Sequence, residues 1–130
     1  LLEACSGVHV LRDPTRGGLG TTLNEIARQS GVCIEIEEQA IPVRPQVQAA
    51  CEMLGFDPLY IANEGKLVAI VAPEEAQMAL DAMRGARYGA EAVAIGKVGA
   101  APAGRVLLRT NLGSRRVVEM LAGEMLPRIC

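Results

Sequence analysis

The 130-residue chain is half apolar, carries 13 basic against 15 acidic residues, and has a formal net charge of −2. That balance gives no electrostatic reason to expect nucleic acid or an anionic membrane as a partner, and with only Phe56, Tyr60 and Tyr88 as aromatics a base-stacking platform is excluded. The length suits one domain with a real core, and no stretch approaches the ~18–20 uninterrupted apolar residues of a membrane span or reads as a secretory signal.

Residues 8–11 predict a short strand or extended entry. Asp13-Pro14-Thr15-Arg16-Gly17-Gly18 is turn-rich. From Leu19 the apolar residues Leu19, Leu23, Ile26 and Ala27 recur at helical spacing, and Ser30-Gly31 ends that helix. Val32, Ile34 and Ile36 alternate with Cys33, Glu35 and Glu37, the pattern of a strand with one wet face. This places Cys33 on the Glu35/Glu37 side, partly exposed. Residues 45–54 predict a second helix, stopped by Gly55 ahead of Asp57-Pro58. Leu59-Tyr60-Ile61-Ala62 predicts a short extended piece leading to Asn63-Glu64-Gly65.

Leu67-Val68-Ala69-Ile70-Val71 reads as a strand covered on both faces. Pro73, with Glu74 and Glu75 at the positive helix end, opens a third helix that turns Ala76, Leu80 and Met83 inward. Val93, Ile95 and Val98 suit another strand. Arg105–Arg109 and Arg116–Met120 predict a hairpin around Asn111-Leu112-Gly113. Alternating strands and helices together with hairpin signals give an α+β sandwich, a mixed or antiparallel sheet packed with helices.

Four cysteines, Cys5, Cys33, Cys51 and Cys130, form no C-x-x-C pair and no zinc-ligand spacing, so no metal site is expected. Reduced thiols fit a cytosolic protein, and the expected localisation is cytoplasmic. His9, inside Val8-His9-Val10-Leu11, reads as a core or strand histidine. Cys130 is different, because chain ends are usually poorly ordered whereas Cys is usually buried. A thiol free to move is a candidate nucleophile or carrier; prenylation needs the Cys four residues from the end and is excluded. The glycine loop Asp13–Gly20 removes Cβ atoms so that backbone N–H groups can approach a ligand. The helix start behind it favours anions, and Thr15 and Arg16 add a hydroxyl and a guanidinium. It is not a Walker A loop, and plain capping of a helix explains such a turn equally.

Two motifs carry a resemblance. Asp13-Pro14-Thr15-Arg16-Gly17-Gly18-Leu19 resembles the helix-opening motif of the C-terminal domain in the aminoimidazole ribonucleotide (AIR) synthase-related, PurM-like superfamily. Asn63-Glu64-Gly65-Lys66-Leu67 is similar to that family's segment entering a central strand. The ending Pro127-Arg128-Ile129-Cys130 resembles the hydrogenase-maturation branch, the HypE family, whose chemistry is carried on a C-terminal cysteine. The resemblance covers nearly the whole chain. It implies an AIR synthase C-terminal domain over residues 1–122 and a tail, 123–130, bearing the acceptor thiol. It further implies that an N-terminal ATP-binding domain, with most of the ATP and Mg site and a homodimer interface, is missing from this sequence.

By the same resemblance, the carbamoyltransferase HypF loads a carbamoyl group onto Cys130, ATP-dependent dehydration gives a thiocyanate, and the cyano group passes to iron on the HypC–HypD complex, as a ligand of the NiFe-hydrogenase iron. Glu64 is the implied base, with its pKa raised by partial desolvation before a buried strand. Asp13, Thr15, Arg16, Gly17 and Gly18 are the implied phosphate-side residues. The alternatives are a selenophosphate synthetase or thiamine monophosphate kinase type of enzyme, which has no need of a terminal thiol, or a docking module without chemistry of its own.

Overall fold

A computed structural model describes residues 1–121; the expectations placed on the tail, Cys130 among them, lie outside the described residues. The elements in chain order are β1 (Val8–Arg12), α1 (Gly18–Ser30), β2 (Cys33–Glu37), α2 (Pro45–Leu54), β3 (Val68–Val71), α3 (Ala76–Arg84), β4 (Gly96–Gly99), β5 (Arg105–Arg109) and β6 (Arg115–Val117), with 3-10 turns at Glu38–Ala40, Pro58–Tyr60 and Pro73–Glu75. The architecture is α+β, as expected. A four-stranded sheet has the order β4-β2-β5-β6, and β1 pairs with β3 in a separate two-stranded ribbon. The larger sheet is mixed: β2 runs parallel to β5 but antiparallel to β4, and β6 returns antiparallel to β5.

The core forms between this sheet and α1. Leu23, Ile26 and Ala27, at i, i+3 and i+4, lie on the buried face of α1 and join Ile34, Ile36, Val106 and Leu108 from β2 and β5. Burying each large aliphatic side chain contributes about 1.5–3 kcal/mol. Gly31, at φ 65°, closes α1 with its N–H on Ala27 O, and Gly55, at φ 72°, closes α2 with its N–H on Cys51 O.

Several expectations are corrected. Cys33 is buried, 4% exposed: it begins an interior strand with Gly99 of β4 opposite on one side and Arg105 of β5 on the other. His9 is an exposed strand residue at the irregularity of the β1–β3 pairing, not a core histidine. Leu59–Tyr60 is not extended. Asp57 Oδ1 accepts from Leu59 N–H and turns Pro58–Tyr60 into a 3-10 helix. β3 is half-buried along its length, because it belongs to a two-stranded ribbon and not to the sheet interior, and Leu67 before it is exposed. The third helix has Ala79 as its buried contact, with Ala76, Leu80 and Met83 half-buried around it.

Candidate functional site

The loop Asp13–Gly17 carries the chain from β1 into α1. Gly17 and Gly18 both take positive φ, 66° and 62°, a region that only glycine enters freely. Space forbids a side chain at Gly18 as well: a Cβ there would lie 2.6 Å from both Leu59 O and Ile61 O. At Gly20 a Cβ would lie 2.8 Å from the Tyr60 ring. These glycines therefore let the 57–63 segment seat directly on the start of α1. Asn63 N–H then donates to Pro14 O at 3.3 Å. That contact brings the Asn63-Glu64-Gly65 turn beside the glycine loop, so two motifs some 45 positions apart in the chain form one surface.

Thr15 Oγ1 donates to the Asp13 carboxylate, and this bond is the main reason the Asp13 pKa lies below its ordinary value. Arg12 pairs with Glu25 at 2.8 Å, tying the end of β1 to α1, while Arg16 is exposed. Among the described residues no side chain caps α1, which leaves its first-turn N–H groups without a side-chain acceptor. Thr21 Oγ1 is the one buried side-chain polar atom without a partner among the described residues, and it lies against Gly17. Amides without a side-chain cap and the exposed Arg16 guanidinium are the groups here that suit a phosphate. A metal does not fit equally well: among the described residues no group of three or more His, Cys, Asp or Glu could hold one.

Glu64 departs from expectation. It is exposed in a polar turn where Gly65 sits at φ 70°, and β3 begins only at Val68. Burial within this chain does not desolvate its carboxylate. A groove of 580 Å³ is lined by Ile41, Phe56, Asp57, Leu59, Leu108 and Arg116, and by none of the loop residues.

Sequence reasoning missed the residues that receive the outgoing chain. Asn24 Nδ2 donates to Val118 O at 2.8 Å, and Tyr60 Oη donates to the next carbonyl, Glu119 O, also at 2.8 Å. The available signal was an amide inside a helix, between Leu23 and Ile26 on its apolar face, where a buried polar group needs a partner.

The family model for the C-terminal domain of AIR synthase related protein matches residues 1–109. The carbamoyl dehydratase HypE of Cupriavidus necator is 60% identical over 130 residues, all of this chain and 37% of that relative. A crystal structure of hydrogenase maturation protein HypE in complex with ATP superposes with a TM-score of 0.87 at 52% identity, over 95% of this chain and 38% of that one. A crystal structure of a HypE–HypF complex matches with a TM-score of 0.82 at 43% identity, over 87% of this chain and 36% of that one. The chain thus spans well under half the length of the relatives it matches.

Proposed function

This chain belongs to the AIR synthase-related family, as its C-terminal domain, and from that we propose that it is the tail-bearing part of an ATP-dependent carbamoyl dehydratase of the HypE type. The observation that carries the reading is the 60% identity, over every residue of the chain, to a carbamoyl dehydratase. Residues 1–122 are the domain and 123–130 the tail. An N-terminal part completes the ATP site, holds Mg and forms the homodimer. The partners are HypF, which loads the thiol, and HypC–HypD, which receives the cyano group, all in the cytoplasm.

Cys130 is the acceptor, since a thiolate is a competent nucleophile. ATP supplies the phosphoryl group that turns the carboxamide oxygen into a leaving group. O-phosphorylation releases ADP and one nitrogen proton to give an imidate, and loss of phosphate together with the remaining nitrogen proton then leaves S–C≡N. Glu64 takes that proton. Its exposure in this chain means that the N-terminal part, or the arriving tail, must supply the desolvation that makes it basic. Asp13, Thr15, Arg16, Gly17 and Gly18 hold the phosphates or orient the tail beside them, Asp13 as an ionised group fixed by Thr15.

The test is mass spectrometry of the full-length protein after incubation with HypF, carbamoyl phosphate and ATP. The wild type gains a carbamoyl group on Cys130 and then loses one water. Glu64→Gln keeps the first gain and stalls before the second step, by about 10²-fold or more. A Cys130→Ala protein that still acquires the carbamoyl mass overturns the proposal.

A further inference from the structure

We propose that Asn24 and Tyr60 form a two-point clamp that fixes where the chain leaves the domain, and that they act as positioning residues for the thiol of Cys130. The β5–β6 ladder ends at Val117, opposite Leu107. One more bond, Val118 N–H to Val106 O at 2.9 Å, holds the chain to the sheet. The next two carbonyls are then taken by side chains from different elements: Val118 O by Asn24 of α1 and Glu119 O by Tyr60 of the 3-10 turn. Two consecutive backbone acceptors held from two directions define a position and a heading, which one bond does not.

Both donors are themselves held at one residue, Gly20. Asn24 Nδ2 uses its second hydrogen on Gly20 O at 2.9 Å, and the Tyr60 ring lies where a Gly20 side chain would be. The Asn24 residue is 3% exposed, so leaving its amide unpaired is costly. Burial, and then the neighbouring Asp57 carboxylate, push the Tyr60 hydroxyl above its ordinary pKa, so it stays a donor at neutral pH. Gly20 ends the glycine loop, and Tyr60 precedes Asn63-Glu64 by three residues. The clamp therefore ties the exit of the chain to both motifs of the site.

Nine residues follow Leu121, a reach of at most about 30 Å. For a tether of that length, the placement of its root sets the local concentration of its end. Dehydration is intramolecular and depends on that concentration; loading by a separate carbamoyltransferase does not. The inference rests on the proposed dehydratase reading.

The experiment uses the full-length protein with Tyr60→Phe, which removes one hydroxyl and keeps the ring against Gly20. Tyr88→Phe, at an exposed tyrosine, is the control. Carbamoylation of Cys130 by HypF should stay within about twofold of wild type, while single-turnover conversion to the thiocyanate at saturating ATP slows about fivefold, the worth of one neutral hydrogen bond. The Val118 amide, bonded to Val106 O, should exchange hydrogen about fivefold faster in the variant. Conversion at the wild-type rate, or an equal fall in both steps, overturns the positioning role. If the wild type makes no thiocyanate at all, the dehydratase reading fails; the exchange measurement still decides the clamp, and unchanged exchange at the Val118 amide defeats it.

Discussion

At Gly18 a single hydrogen in place of a methyl group decides whether the site assembles. Its positive φ and the two carbonyl oxygens at 2.6 Å act against any side chain, one through the backbone and one through contact. Gly18→Ala should lower stability by at least about 2 kcal/mol in urea denaturation, because the strained conformation and the backbone clash both have to be relieved. Asn63 N–H exchange should speed up in the same variant, as the 57–63 segment is pushed off Pro14. An unshifted urea midpoint would show that the turn has room to move. Gly18 was legible in the sequence as a turn glycine at a helix start, but the contact that requires it was not. Periodicity and turn chemistry report on the local chain, whereas the residues that exclude a Cβ at Gly18 lie some 40 positions away. Glu64 shows the same limit, since position before an apolar run says nothing of how deeply the run is buried.

Among the elements, the helices were legible because their ends are written locally. Gly31 and Gly55 terminate α1 and α2 where the apolar spacing stops, and the Asn-Leu-Gly turn forms the β5–β6 hairpin. The 3-10 turn at Pro58–Tyr60 was not legible. Leu-Tyr-Ile-Ala has strand-like side chains, and the Asp57 cap that overrides them is a side-chain bond to the backbone. Cys33 was misplaced for a related reason: alternation gives the face of a strand but not whether neighbouring strands and their connections cover its end. The start of the ribbon depends on a longer link. Glu75 accepts from Gly7 N–H at 2.7 Å and from Ser6 Oγ at 2.9 Å, which is why its pKa lies below the ordinary 4.5, the Gly7 bond contributing most. A carboxylate with a depressed folded-state pKa adds stability above its unfolded pKa and loses it as pH falls through the folded value. Glu75→Gln should therefore be less stable than wild type at pH 7. The two midpoints should converge as pH drops below about 4.5. A gap that persists at pH 3 in thermal unfolding would mean the contact is not ionic in origin.

For the whole molecule, the mixed sheet and α1 present the glycine loop and the Asn63–Gly65 turn on one surface. Calorimetric titration of ATP into this 130-residue chain should give binding at least about 10²-fold weaker than in a full-length protein. Equal affinity would place the nucleotide site wholly within this chain. Which parts of the sheet meet was not legible, because the parallel partnership of β2 with β5 joins segments separated by β3, β4, α2 and α3. That partnership also bears on how the chain acquires its structure over time. Pairing Cys33 with Arg105 requires closure of a long connection before any bond between the two strands forms, and folding slows as contacts become less local. On the ribosome, α1 and β2 wait for β5, and the exit clamp can close only after the sheet beneath it has done so. The direction in which the chain leaves the domain is thus set only once the domain has finished folding.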